Sequence, residues 1–320
     1  MTAMPTAPAP TSDLPPPCLD EDALLDLPDG DATAQAAALP LDTRFRLRDL
    51  ITPIQRAFLD RHGYLVFDRV ASEDEVGRIL QDMDAAQARL LAEGTEKVFG
   101  VPVWFGTDPD GQPILQRLGF SSTFSEFLSG FVQHERFEPV RRLIGEDARI
   151  GHREKDGVVF NRYINTDQSL YPGLGWHTDS LRDVFYNWKM PGPMLNVGLH
   201  FDRIREEDGG LRVLPGTHRQ SAFASLFRKI HFVTQTADRD EVMVETWPGD
   251  LTVHDGRMWH RVQRSPHVGW RSLRRSMYVP YVIDAFNPKS PDAKTPLYQR
   301  FFDRIQRVKK AWMRWRADAK

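Results

Sequence analysis

The chain has 320 residues, 41% hydrophobic and 27% charged, with a formal net charge of −2. That suits one large or two small globular domains and argues against a general nucleic-acid binder. A single cysteine, Cys18, excludes an internal disulfide and a cysteine-based zinc site. The sequence also lacks a secretory leader pattern and any run of 18 apolar residues, so a cytoplasmic protein without a membrane span is expected.

The charge is unevenly spread. Residues 1–43 hold eight acids and no Lys or Arg, residues 297–320 hold eight bases and two acids, and the body between them is neutral. Eight prolines and an Ala-rich patch make 1–43 read as an acidic disordered tail, with the folded body, 44–296, beginning near Phe45. Thr52-Pro53-Ile54-Gln55 reads as a helix start, with Thr as N-cap, Pro at N1 and Gln at N3. Gly63 ends that helix, and Tyr64 to Val70 reads as a strand. Ser72-Glu73-Asp74-Glu75 is a second capping box, followed by Val76, Ile79, Leu80, Met83 and Leu90 at helical spacing. Pro102, Pro109, Gly111 and Pro113 mark a loop, and roughly 122–144 reads as helical. From about 157 the pattern changes to short strands near 157–165, 194–202, 210–214, 241–247, 250–255 and 274–283, interrupted by a short helix around 220–229. The expected fold is mixed α+β with a mainly β core. It is a double-stranded β-helix (a cupin-like jelly roll) with flanking N-terminal helices and a C-terminal helix.

Histidine and carboxylate spacing carries the chemistry. In His177-Thr178-Asp179, residues i and i+2 point the same way in a strand or at its end, so both side chains can reach one metal. His260, after the strand and turn of Gly249 to Trp259, supplies a third ligand. Two histidines and one carboxylate on one face of a metal form the facial triad of non-haem Fe(II) oxygenases. Spacing alone does not choose the pair, because His200-Phe201-Asp202 has the same form.

Several motifs appear in a characteristic order: Arg61-His62-Gly63-Tyr64-Leu65-Val66-Phe67; Gly175-Trp176-His177-Thr178-Asp179; Glu207-Asp208-Gly209-Gly210-Leu211 through Pro215-Gly216-Thr217-His218-Arg219; Gly249-Asp250-Leu251; His260; and Arg271 to Arg275. In this order the chain, over about 50–283, resembles the phytanoyl-CoA dioxygenase family of Fe(II)/2-oxoglutarate oxygenases. The resemblance implies iron held by His177, Asp179 and His260, because the family's metal pair precedes the Gly-Gly-Leu to Pro-Gly-Thr-His segment. It also implies 2-oxoglutarate as cosubstrate, bound through its far carboxylate by an arginine 11–14 residues beyond the distal His, and O2 as oxidant. Arg271, Arg274 and Arg275 are the candidates, and the register with Ser276 and Tyr281 favours Arg274. Val262 stands where the family often has a serine, so a hydroxyl contact is not carried over. Asn196 and His200, on one strand face, are candidate contacts to cosubstrate or substrate. Asn161, Tyr163 and Asn165 are weaker pocket candidates, and His218 reads as structural.

The implied reaction hydroxylates an aliphatic C–H of a small-molecule or lipid-like metabolite and releases succinate and CO2. Related halogenases lack the carboxylate, so Asp179 points to hydroxylation. The competing reading is a non-catalytic jelly-roll module, binding a ligand or partner, with a vestigial metal site. The segment from Ser180 to Pro193, with Trp104 and Phe105, reads as an aromatic lid. Residues 297–320 form a basic amphipathic pattern with Leu297, Tyr298, Phe301, Phe302, Ile305, Val308, Trp312 and Trp315 on one face. Such a helix suits docking on the body, a peripheral membrane contact or a dimer contact.

Overall fold

Two-residue alternation along the long strands separates the core from the site. The computed structural model describes residues 15–296, apart from 26, 170 and 181–191, together with Arg300. In it, Met277, Val279 and Tyr281 point one way from strand 269–282 into the main apolar core, where Phe58, Ile79 and Met83 from the helices also lie. Arg274, Ser276 and Tyr278 point the other way. Met277 and Tyr281 pair in register with Leu199 and Leu195, which share that core. One face of the sheet is therefore apolar and covered by helices, and the other is free to carry polar chemistry.

Among the described residues there are fourteen strands. They are β1 (Tyr64–Phe67), β2 (Lys97–Val98), β3 (Val101–Pro102), β4 (Trp104–Thr107), β5 (Pro113–Leu118), β6 (Arg149–Ile150), β7 (Val159–Asn165), β8 (Leu174–His177), β9 (Met194–His200), β10 (Gly210–Val213), β11 (Val242–Met243), β12 (Leu251–Asp255), β13 (His260–Gln263) and β14 (Gly269–Val282). The large sheet runs β1-β12-β9-β14-β7-β5-β4, with β6 added on β14. The small sheet runs β11-β10-β13-β8, and β2 pairs with β3. The pairs among these strands are antiparallel, and those that build the centre of the two sheets (β1–β12, β12–β9, β9–β14, β10–β13 and β13–β8) join strands distant in sequence, as the expected jelly roll requires. Trp176, Leu214 and Trp259 form a separate small core beside the small sheet.

The capped helices follow the sequence reading. Helix α2 (Pro53–His62) follows α1 (Asp29–Ala38) and has a full capping box between Thr52 and Gln55; it ends at Gly63, whose φ of +86° is easily adopted only by glycine. Helix α3 (Glu73–Glu93) has its box between Ser72 and Glu75, and buries Val76, Ile79, Met83, Ala86 and Leu90. No helix among the described residues is long and apolar enough to cross a membrane.

Three expectations need correction. Residues 15–43 are not a disordered tail: α1 buries Ala32 and Ala36, and the buried Glu21 accepts hydrogen bonds from the Thr52 hydroxyl, the Gln55 amide and the Arg46 N–H. The Ala-rich patch is a good helix former, and one of the acids is internal and satisfied. Residues 1–14 lie outside the described residues, as does the expected C-terminal helix apart from Arg300. The loop read at 102–113 is instead the hairpin β4–β5 on the edge of the large sheet. Its breakers mark the turn, where the Asp108 carboxylate accepts from the N–H groups of Asp110 and Gln112. The helical stretch at 122–144 is broken into α4 (Glu126–Val132), α5 (Glu138–Arg141) and short 3-10 turns.

Candidate active site

His177 is the last residue of β8 and His260 the first of β13, and the two are direct register partners. Asp179 lies two residues past the strand end. The small sheet thus brings both histidines and the carboxylate to one spot, with one ligand atom from each lying within 4.8 Å of the others. His177 and His260 are 4% exposed and Asp179 is 1% exposed. Among the described residues no other cluster of this kind occurs. The second H-x-D pair is split: the Asp202 carboxylate is held by the Arg275 guanidinium and backbone N–H, while His200 Nε2 pairs with the Thr252 hydroxyl at 3.0 Å.

The local bonding suits a metal. His177 Nδ1 lies 2.9 Å from the Gly175 carbonyl, and His260 Nδ1 lies 3.0 Å from the Met258 carbonyl. A carbonyl only accepts, so each Nδ1 carries the proton and each Nε2 presents a lone pair. Burial, and then the neighbouring His177, hold His260 well below the usual histidine pKa, so it stays neutral as a ligand must. Asn196 Nδ2 donates to Asp179 Oδ2 at 2.9 Å. Asn196 therefore orients the carboxylate. Its loss, as Asn196→Ala, is expected to weaken metal binding about 10–100-fold with the fold intact, measured by calorimetric titration.

The Pro215-Gly216-Thr217-His218 turn has a mechanical part. The Thr217 hydroxyl accepts from the Trp259 N–H and donates to the Leu214 carbonyl, while Leu214 N–H donates to the Trp259 carbonyl. This fixes the chain immediately before His260. His218 is not at the site; its Nε2 faces the Asp60 carbonyl at 3.1 Å and its ring fills the space beside Gly63.

A cavity opens beside the three ligands, which are part of its lining. Asn161, Tyr163, Tyr171, Leu174, Asn196, Val262 and Tyr278 line it, as do Trp104, Arg117, Lys155 and Asp156. Gly198 makes room for Tyr278, because a Cβ there would stand 2.3 Å from the Tyr278 ring. Asn165 is not part of the lining; it ties the Ser265 and His267 carbonyls to β7. Of the expected lid, Trp104 lines the cavity, while 181–191 lie outside the described residues.

Of the three arginines, Arg271 is exposed and Arg275 is committed to Asp202. Arg274 is 5% exposed, one layer out from the lining, with its guanidinium over the Tyr163 ring. It donates to the Gln263 and Pro172 carbonyls, its Nε–H has no partner, and no carboxylate among the described residues pairs with it. Burial lowers its pKa to about 10. Gln263 is three residues along β13 from His260, which places the guanidinium about 10 Å along the strand from the ligand set.

His200 does not line the cavity. It packs edge-on to Tyr278 and hydrogen-bonds Thr252, so a direct cosubstrate contact is not what its position offers. Burial, with His254 nearby, lowers its pKa from 6.5 to about 3. As pH falls below 6.5 the unfolded chain takes up this proton and the folded chain does not, so stability is lost. Replacing His200 with Gln is expected to remove a pH dependence of about 1.4 kcal/mol per unit between pH 6 and 5, read from denaturant unfolding at each pH.

Two site neighbours were not legible in the sequence. Phe232 stacks on His177 with centroids 4.7 Å apart, and His231 Nε2 accepts from the Thr178 N–H. Both lie on an irregular segment beside β8, where Phe232 has φ +62° and its N–H bonds the Trp176 carbonyl. No spacing rule marks such a segment. Its close approach to Gly175, where a Cβ would meet the Phe232 carbonyl at 2.4 Å, is the one local signal.

The family model described as phytanoyl-CoA dioxygenase (PhyH) matches residues 59–265, more than half of the chain and all three candidate ligands. The chain belongs to this family. A curated relative, the probable alpha-ketoglutarate-dependent hypophosphite dioxygenase of Stutzerimonas stutzeri, is 25% identical over 170 residues. That match covers 53% of this chain, and the chain spans only about half (54%) of the relative's length. Among solved structures, EctD from S. alaskensis with 2-oxoglutarate and 5-hydroxyectoine aligns over 80% of this chain and 84% of its own, with a TM-score of 0.55 and 19% identity. HygX from Streptomyces hygroscopicus with nickel and 2-oxoglutarate aligns over 74% and 89%, with a TM-score of 0.54 and 17% identity. These likenesses show the shared cupin-like fold of this PhyH-family chain.

Proposed function

We propose that this chain is an Fe(II)/2-oxoglutarate-dependent dioxygenase that hydroxylates an aliphatic C–H of a small molecule and releases succinate and CO2. The observation that carries this reading is the convergence of His177, Asp179 and His260 on one spot, with both Nδ1 atoms tied to backbone carbonyls so that both Nε2 atoms are in the form that can ligate. Two histidines and one carboxylate leave coordination positions for cosubstrate and oxygen. Iron held there would supply O2 activation coupled to oxidative decarboxylation of 2-oxoglutarate. Arg274 suits the cosubstrate's far carboxylate, because a buried guanidinium without an anion is costly and a carboxylate relieves it. Its distance along β13 from His260 matches a five-carbon diacid lying between metal and arginine.

The protein residues hold, orient and shield. Asn196 orients Asp179, Phe232 backs His177, and Leu174, Leu211 and Val262 supply apolar wall against bulk water. The retained carboxylate of Asp179 supports hydroxylation over halogenation. The polar lining at Asn161, Tyr163, Tyr171 and Tyr278 favours a hydrogen-bonding small molecule over a lipid chain. The relative's hypophosphite is also a small polar compound, and this chain is proposed to share the cofactors and not that substrate. The test is a screen of small polar metabolites with Fe(II), 2-oxoglutarate and O2. A substrate is expected to raise succinate release in step with its own hydroxylation, and release independent of O2 would refute the reading.

A further inference from the structure

His254 lies beside the ligand set. It is on β12, 1% exposed, and neither ring nitrogen has a hydrogen-bond partner. Leaving a buried imidazole unsatisfied is costly, and such groups recur where a bound ligand completes them. Its Nε2 stands 3.7 Å from Asp179 Oδ2, the same separation that His260 Nε2 has from that oxygen. Its ring lies against His260, with centroids 4.4 Å apart and a tilt of 55°. It is also the direct register partner of Asn196 on β9, and Asn196 donates to the same Oδ2. Two neighbouring strands therefore aim two side chains at one carboxylate oxygen.

His254 is not a fourth ligand by geometry, since the set of mutually close ligand atoms comprises His177, Asp179 and His260 alone. At 3.7 Å it is also beyond a formed hydrogen bond. We propose that His254 is a positioning residue that, once a metal is bound, donates its Nε2–H to Asp179 and clamps the carboxylate together with Asn196. A metal-bound carboxylate keeps lone pairs that a donor can satisfy, and taking them fixes its plane. This also gives the buried imidazole the partner that it otherwise lacks. The inference rests on the metal-site reading above.

The test is anaerobic titration with Co(II), followed by visible absorption and calorimetry, on the native protein, His254→Phe and His254→Gln. Phe keeps a ring against His260 and removes the donor; Gln keeps a donor. The expected result is a Co(II) affinity about 10–100-fold weaker in His254→Phe, with an altered visible spectrum and no loss of thermal stability in the metal-free protein. His254→Gln is expected to recover most of the affinity and the native spectrum. Native-like binding by His254→Phe would overturn the proposal, and so would equal weakening in both variants, which would make His254 a packing residue. If the native protein bound no Co(II), the metal-site reading itself would fall.

Discussion

Replacing His177 with alanine is expected to abolish specific Fe(II) binding and all 2-oxoglutarate turnover while leaving the protein folded. One of three ligands is removed, so the loss exceeds the roughly 10–100-fold cost of losing an outer partner. His177 sits at a strand end, where its ring contacts Phe232 and His260 and its Nδ1 holds a single backbone carbonyl. Truncation there removes little packing from the main core. His260→Ala is expected to behave in the same way. His200→Ala is the matched control, since its imidazole is tied to Thr252 and its motif partner Asp202 to Arg275. Metal binding retained by His177→Ala and lost by His200→Ala would show that the other H-x-D pair is the ligand pair. Calorimetric titration of the three variants with Fe(II) under anaerobic conditions decides this.

Replacing Arg274 with methionine is expected to raise the KM for 2-oxoglutarate by about two to three orders of magnitude. Losing one partner of a buried charge pair costs on the order of 2–5 kcal/mol. Metal affinity without cosubstrate should stay within a few-fold of native, because Arg274 touches none of the three ligands. Its bonds to the Gln263 and Pro172 carbonyls also brace the small sheet, so Arg274→Lys, which keeps a donor, guards against a folding artefact. Lysine lacks the planar fork and is expected to recover KM only in part. Arg271→Ala should be silent, since that side chain is exposed. Arg275→Ala should lower stability by stranding Asp202, with little change in KM. A large KM effect from Arg271 or Arg275 would move the cosubstrate site.

Much of this architecture was legible where a local rule and the tertiary fold agree. The capping boxes at Thr52 and Ser72 formed as written, because a side chain three residues away satisfies the helix N-terminus whatever packs around it. The alternation of β9 and β14 was legible because each strand has one apolar face. The hairpin β4–β5 was not, since its strands are short and its turn residues dominate the pattern. Residues 15–43 misled for the opposite reason: their net charge and prolines suggest disorder, yet Ala32, Ala36 and Glu21 are buried by contacts that composition does not record.

The site shows the same division. The distance in sequence between Asp179 and His260 says nothing of their proximity, and ordered motifs supplied the link. The register between β8 and β13 gives that link a cause. Arg275 could be set apart from Arg274 by alternation alone. The partners of Arg274 could not, because Pro172 and Gln263 lie on loops and strand ends whose approach depends on how the two sheets meet. Nothing in the sequence marks His231 and Phe232, which reach β8 and His177 from an irregular segment.

One metal, held by His177, Asp179 and His260, is expected to share 2-oxoglutarate with Arg274. The most direct measurement is anaerobic calorimetric titration of the native protein with 2-oxoglutarate, with and without one equivalent of Fe(II). The expected result is a single site per chain whose affinity rises at least about tenfold when Fe(II) is present, a coupling of about 1.4 kcal/mol. Binding of equal strength with and without Fe(II), or no binding in either case, would contradict it.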